Sequence, residues 1–318
     1  MIDHLHNLAS VFAFANQIGG VIHGRIQYAF DWYMDIFGKS TMLSDTVGAM
    51  CLTTTCFWLI GSLYTILDLT HWPNCLFQYK TQDKNVTVGE VLRTAKLSLF
   101  NQLTTQFLTS IGYHFLIEWR GMDNSPLVPP VATILTHLLV FAFIQETSFY
   151  YLHRLLHQGR FYRSIHKIHH YWQAPIAIAA IYCHPIEHFL ANLLPVLLGP
   201  LVMGSHRSII SIWLIIVHIV TLNDHSGYHF PLMPSPEFHD YHHLKYVMLY
   251  YTFLPYYRSH SQLCFDYFRF NQNFGRMGIL DYFHGTSDNY LKSKYCKRDR
   301  LLLSITPIRT LVPDKDNE

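Results

Sequence analysis

Residues 46–67 read TVGAMCLTTTCFWLIGSLYTIL, an uncharged run closed at its ends by Asp45 and Asp68. As a helix it is long enough to cross a hydrocarbon core of about 30 Å. Further apolar runs follow. LSLFNQLTTQFLTSIGYHFLI lies between Lys96 and Glu118, and its Asn, Gln and Thr content predicts that one side faces other helices. VATILTHLLVFAFIQ follows NSPLVPP and ends at Glu146. Two shorter runs, 189–204 and 208–223, are joined by Ser205, His206 and Arg207 and read as a helical hairpin that enters and leaves on one side. Composition agrees: 50% of the residues are hydrophobic and only 14% are charged, against about 25% charged in soluble domains. The expected fold class is therefore an all-α integral membrane protein.

A formal net charge of +2 offers no broad basic face for nucleic acid. The cysteines at 51, 56, 75, 183, 264 and 296 form no C-x-x-C pair and read as reduced. The loop from Asp68 to Lys96 carries Lys80, Lys84, Arg93 and Lys96, whereas the loop from Glu118 to Pro130 carries only Arg120, so the first loop is expected in the cytosol. Asn85-Val86-Thr87 within it matches a glycosylation acceptor and should stay unmodified on that side. Residues 1–44 lack a signal-peptide pattern and read as an interfacial or pre-membrane segment, and 45–128 as the first two transmembrane helices.

The 22 histidines are the compositional outlier. Four clusters stand out: His153 and His157; His166, His169 and His170; His225 and His229; His239, His242 and His243. Span counting from the basic loop puts all four on one membrane face. Helical i, i+3 and i+4 positions share a face, so each triplet should point into a common volume and each pair should offer two imidazoles to one metal, as in zinc proteases. The whole set exceeds what one ion accepts. It implies two metal ions with about five ligands each and a position left for water or dioxygen. Imidazole suits iron, zinc, copper or nickel. Glu146, Glu187, Asp224 and Asp240 are candidates to orient the rings. His184 and His188 of HPIEH, which flank Pro185, are expected at a substrate cavity or behind the ligands. His206 lies in the hairpin turn, away from the clusters. Two rival classes are a bis-histidine haem carrier, which needs single histidines on facing helices, and a metal transporter, which needs ligands within the spans, where only His114, His137 and His218 occur.

HRLLH, HKIHH and HDYHH resemble the three histidine boxes of the fatty acid hydroxylase / sterol desaturase superfamily. ETSFYYLHRLLH, HPIEH, HSGYHFP, PSPEFHDYHH and GILDYFHGT are similar to it in order and spacing. The likeness covers roughly residues 130–290 and marks 129–290 as a hydroxylase-like catalytic domain, with 291–318 as a polar C-terminal tail. The resemblance implies about four transmembrane helices under a cytosolic helical cap that holds a dimetal centre in the endoplasmic reticulum membrane. It further implies oxidation of a lipid C–H bond, sterol or fatty acyl, with sterol C4-methyl oxidation favoured. The metals would be iron, with zinc the alternative. Dioxygen and NAD(P)H-derived electrons would be used, the latter through a separate reductase and cytochrome b5, since no HPGG signature of a fused cytochrome b5 is present. A catalytically idle or zinc-loaded member with a regulatory role is the alternative within the family.

One segment departs from the pattern. YVMLYYTFLPYYRSHSQLCFDYFR, residues 246–269, separates HHLK from FNQNFG, which follow each other almost directly in relatives. Lys-Tyr-Val and Tyr-Phe-Arg can be encoded with the GT and AG of an intron at the two ends, and excision in frame restores HHLKFNQNFG. Residues 246–269 are accordingly read as a retained intron or gene-model error, or else as a membrane-dipping insertion.

Overall fold

The computed structural model describes residues 2–253 and 273–314, with side chains described for 17–245 and 273–314. The retained-intron reading therefore falls largely outside the described residues; the helix that enters the segment, Glu237–Phe253, covers its first residues. The described residues are almost entirely helical, and the one bridge between extended residues joins Lys80 to Tyr228. The long elements are α1 (Ile2–Ile36), α2 (Thr41–Thr70), α3 (88–120), α4 (Val131–Leu156), α5 (Pro185–Met203), α6 (Arg207–Asp224) and α7 (Glu237–Phe253). Among the described residues α2, α4, α5 and α6 are long and apolar enough to cross a membrane.

Helix α3 is absent from that set, although it contains the expected second span. Its polar residues are the reason, and they are turned inward. Buried Asn101 donates to the carbonyls of Ile181 and Cys183, each at 2.9 Å, and Ser98 donates to that of Ile178 at 2.9 Å. These three acceptors belong to a buried irregular segment that includes the 3₁₀ turn Ala177–Ile181. Non-helical backbone at such depth persists only where protein groups satisfy it. Gln102 accepts from the Trp58 indole at 2.8 Å, and Gln106 donates to Thr53 at 2.8 Å. Meanwhile Leu103, Leu108 and Phe115 of α3 face outward, as do Leu59 and Leu63 of α2 and Leu139 and Phe143 of α4.

Helices α2 to α6 run antiparallel between two poles. At one pole Arg207, which opens α6, donates to both carboxylate oxygens of Asp45 at 2.8 and 2.9 Å and to Glu118 at 2.8 Å. His114 adds a contact to Asp45 at 2.9 Å. His206 caps α6 by accepting from the Ser208 N–H and donates to the Ser125 carbonyl at 2.7 Å, so this histidine fastens the loop between α3 and α4. In α1, Gln27 and His23 bond the same loop at Pro126 and Val128. At the opposite pole Lys80 pairs with buried Asp68 at 2.6 Å and donates to the Ser226 carbonyl at 3.1 Å. That pole also carries the histidines.

The residues after Tyr290, expected as a polar tail, pack instead. Tyr290 and Cys296 form an apolar cluster with Tyr241 of α7, and fully buried Arg298 donates twice to the Val312 carbonyl, at 2.9 and 2.6 Å. The basic composition hides this packing in the sequence, because Lys294 and Arg298 find their acceptors within the tail itself, on Asp314 and Val312.

Backbones approach closely where α4 meets α5. A Cβ added at Gly199 would stand 2.9 Å from the Phe141 Cα, with no flexible side chain to give way. Small residues permit such contacts between membrane helices. Gly199→Ala is expected to lower the thermal unfolding midpoint in detergent, by a destabilisation of about 1–3 kcal/mol. Gly112→Ala, whose Cβ would meet nothing, should leave it within error; equal midpoints for the two variants would show that the α4–α5 contact is slack.

Candidate metal centre

Nine of the ten expected histidines converge at the pole below the cap. Their ligand atoms fall into two groups: His153, His157, His166, His170 and His242 in one, and His169, His225, His239 and His243 in the other. Sequence spacing predicts each triplet as a unit, but the structure splits both. HKIHH is a 3₁₀ helix (His166–Tyr171), so His166 and His170 enter the first group while His169 turns to the second. In α7, His239 and His243 lie one turn apart and serve the second group, and His242 serves the first. Each triplet thus bridges the two groups.

His229 lies in neither group. The expected i, i+4 pairing with His225 needs a continuous helix, and α6 stops at Asp224 with His225 as its C-cap. The chain then turns through Gly227 at φ 69°, a left-handed conformation that suits glycine. His229 is carried to the Tyr79 carbonyl, which its backbone N–H meets at 3.0 Å, and its ring lies near Asp299 and Leu301.

The geometry of the groups tests directly whether a cation fits. His153 donates from Nδ1 to the Phe274 carbonyl at 2.7 Å, and His166 donates from Nδ1 to Glu187 at 2.7 Å. A neutral imidazole carries one N–H, so both Nε2 atoms present lone pairs. They face each other at 3.2 Å. The other Nε2 separations in the first group are 3.2, 3.1, 2.9 and 3.0 Å. In the second group His225 donates from Nδ1 to the Thr221 carbonyl at 2.9 Å, leaving its Nε2 lone pair 2.9 Å from Nε2 of His239. Opposed lone pairs repel unless a cation lies between them. With metal–nitrogen bonds of about 2.0–2.1 Å, adjacent ligands at right angles stand about 3 Å apart. The donor set and its spacing fit a metal ion in each group.

Burial keeps these rings neutral. Outside the spans, desolvation first and neighbouring histidines second hold His157, His166, His169, His170, His239 and His243 well below the usual imidazole range. Burial lowers His225 to about 4, against a raising contribution from the Thr221 carbonyl. Neutral imidazole is the form that ligates metal.

Of the four carboxylates expected to orient rings, Glu187 does so. Glu146 instead accepts the backbone N–H groups of Arg276 and Met277, each at 3.0 Å, and Asp224 pairs with Arg276 at 2.6 Å. Asp240 accepts from Thr81 at 3.2 Å; burial pushes it up to about 7, offset in part by Gln82, Lys80 and Thr81. Sequence reasoning missed Asp281, which accepts from the N–H groups of Phe274 and Gly275 at 2.8 and 2.7 Å and from Thr286 at 2.7 Å. Asp281 and Glu146 together shape the loop whose Phe274 carbonyl fixes His153. GILDYFHGT was the available signal, since its Asp and Thr are the two polar residues that meet.

HPIEH divides its roles. His184 caps the start of α5 by accepting the Ile186 N–H, Glu187 holds His166, and His188 lines a cavity. That cavity, about 300 Å³, runs from His153, His166, His169 and His225 down between the spans to Tyr33 and Arg207. Its walls include Phe57, Val196, Trp213 and Leu222. Three π-helical turns, Ser44–Gly48, Gln102–Gln106 and His188–Leu193, contribute to its lining, as such turns often do at functional sites. The in-span histidines have partners of their own: His114 bonds Asp45, His137 bonds Ser205 at 2.8 Å, and His218 bonds the Leu214 carbonyl at 2.7 Å. None of them joins the two histidine groups; His114 instead forms a third group with Asp45 and Glu118 at the opposite pole.

The fatty acid hydroxylase family matches residues 138–286. A human protein, fatty acid hydroxylase domain-containing protein 2, is 40% identical over 84% of this chain and 74% of its own length. This chain belongs to the fatty acid hydroxylase family. Other members similar to it include methylsterol monooxygenase 2-1 of Arabidopsis thaliana, 28% identical over 62% of this chain and 78% of its own length. A very-long-chain aldehyde decarbonylase of Oryza sativa subsp. japonica is 27% identical over 69% and 82%. No solved structure matches the chain. The family match takes in HRLLH, HKIHH, HPIEH, HSGYH, HDYHH and the Asp281 loop, and so spans every element that builds the two groups.

Orientation from behind the ligand governs metal retention in such sites, with losses of about 10–100-fold when the supporting group is removed. Glu187→Ala is expected to reduce metal retained after dialysis against a weak chelator by that order, read by elemental analysis. Asp31→Ala, on exposed α1, should retain metal as the parent does; unchanged retention in Glu187→Ala would show that His166 is oriented without it.

Proposed function

We propose that this chain is a membrane oxygenase that oxidises a C–H bond of a lipid, with sterol C4-methyl groups the favoured target. The observation that carries the reading is the convergence of nine imidazoles in two groups at the end of an apolar cavity between membrane spans. His153, His157, His166, His170 and His242 would hold one ion, and His169, His225, His239 and His243 the other. Bound there, two metal ions, iron in this reading, supply the oxidising power that a C–H bond without acid or base character demands. The remaining work falls to the chain. Phe57, Val196, Trp213 and Leu222 bind an apolar body and exclude water from it. Glu187, Phe274 and Thr221 hold ring protons away from the reacting end. Dioxygen enters from solution, and electrons come from NAD(P)H through a separate reductase and cytochrome b5.

Methylsterol monooxygenases among the relatives support the sterol reading. The endoplasmic reticulum membrane, with the histidine pole in the cytosol, is the proposed setting. Lys80, Lys84 and Arg93 at that pole support the orientation, since positive charge favours the cytosolic side.

Cells lacking the protein are expected to accumulate 4-methylated sterols, read by mass spectrometry. Restoration by the parent and failure of restoration by His169→Ala would support the reading; an unchanged sterol profile with an altered acyl profile would move the substrate to fatty acyl lipids. His169→Ala should also lose metal, whereas His229→Ala should keep it, which separates the nine-ligand set from the ten expected from spacing. Exposed Asn85 is expected to carry no glycan; a gel shift on deglycosylation that disappears in Asn85→Gln would reverse the orientation.

A further inference from the structure

Two histidines that ligate nothing face the same cavity on its histidine side. His188 lies one residue beyond Glu187, and His218 sits on α6 two turns before His225, hence below it on the same helix face. Both line that cavity beside Asn192, His169 and His225.

The hydrogen-bond network assigns their tautomers. The Cys183 thiol donates to the Ile181 carbonyl at 3.7 Å, so the Asn192 amide that meets its sulfur at 3.7 Å does so through Nδ2. The same Nδ2 faces Nδ1 of His188 at 3.3 Å. An amide nitrogen only donates, so Nδ1 of His188 accepts and its proton sits on Nε2. That Nε2–H is buried and has no hydrogen-bond partner among the described residues. His218 is the mirror case. Its Nδ1–H donates to the Leu214 carbonyl, which leaves Nε2 as an acceptor.

We propose that His188 and His218 form a hydroxyl-binding pair in the substrate cavity, with His188 donating to the lipid's hydroxyl oxygen and His218 accepting its proton. A hydroxyl is the small group that is donor and acceptor at once. A carbonyl oxygen satisfies His188 alone, and a hydrocarbon satisfies neither. The substrate class is therefore a lipid alcohol whose hydroxyl lies on the metal side of the molecule. The inference rests on the lipid-oxygenase reading for the identity of the cavity, while its test needs no turnover.

The test is competitive binding of matched lipids to the full chain in nanodiscs. Cholestanol, cholestanone and cholestane form one set, and a long-chain alcohol, its methyl ketone and the alkane form a second. Alcohol should bind most tightly, ketone next and hydrocarbon least, each step about 10-fold. His218→Phe should bring alcohol down to the ketone. Asn192→Asp, which accepts from Nδ1 and so moves the His188 proton off Nε2, should bring ketone down to the hydrocarbon; packing changes alone would weaken all three together. If only the second set binds in this order, the sterol reading fails and the hydroxyl pair stands. Equal binding of alcohol, ketone and hydrocarbon in both sets, or no binding of either set, would overturn the pair.

Discussion

Lone pairs on buried imidazoles repel at 3 Å, and in this protein nine rings are brought together at such separations from four separate stretches of chain. Each ring whose back is fixed is held by a different element: His153 by the loop carbonyl of Phe274, His166 by Glu187 at the start of α5, His225 by Thr221 within α6. The elements behind the rings are secured in turn. Asp281 and Glu146 hold the 274–277 loop through its N–H groups, and a Cβ at Gly275 would stand 2.6 Å from Glu146 and 2.9 Å from Asp281, which leaves no room for a side chain. Breaking one supporting contact would free a ring without removing a ligand.

The membrane-spanning part supplies the opposite environment. Many of its buried polar groups lie at the two poles, along the cavity, or against the irregular segment that includes Ala177–Ile181, where Ser98 and Asn101 donate to backbone carbonyls. Buried ion pairs stabilise little once desolvation is counted, yet removing one partner leaves a stranded charge at a cost of about 3–5 kcal/mol. The Asp45, Arg207 and Glu118 network therefore acts as a register lock between α2, α3 and α6 at the pole away from the two histidine groups. The Lys80–Asp68 pair does the same beneath the turn that carries His225. Between these locks an apolar cavity stays open because π-helical turns in α2, α3 and α5 shift side chains out of helical register around it.

The α5–α6 hairpin connects these parts. Its turn carries Arg207 and the His206 cap at one pole, and its two ends carry Glu187 and His225 at the other. One antiparallel pair of helices thus sets the distance between the register lock and the histidine groups. The cavity takes its length from that distance.

Local signals in the sequence determined a good deal. Uncharged runs between fixed charges marked α2, α4, α5 and α6, because span length is a property of the segment alone. Histidine is rare enough that clusters at i, i+3 and i+4 marked the residues that converge, and nine of the ten do meet. The tertiary structure alone decided how they meet. HKIHH forms a 3₁₀ rather than an α turn, and His169 and His170 go to different groups. His229 lies apart from both groups because α6 ends at Asp224 and the chain then turns at Gly227 and docks on residues 79–81. Asp281 could not be read as a support for His153, since the carbonyl it positions lies across a loop that folds back on α4. Spacing along a helix is encoded by neighbours in sequence; which ring faces which is encoded by contacts between segments far apart in the chain.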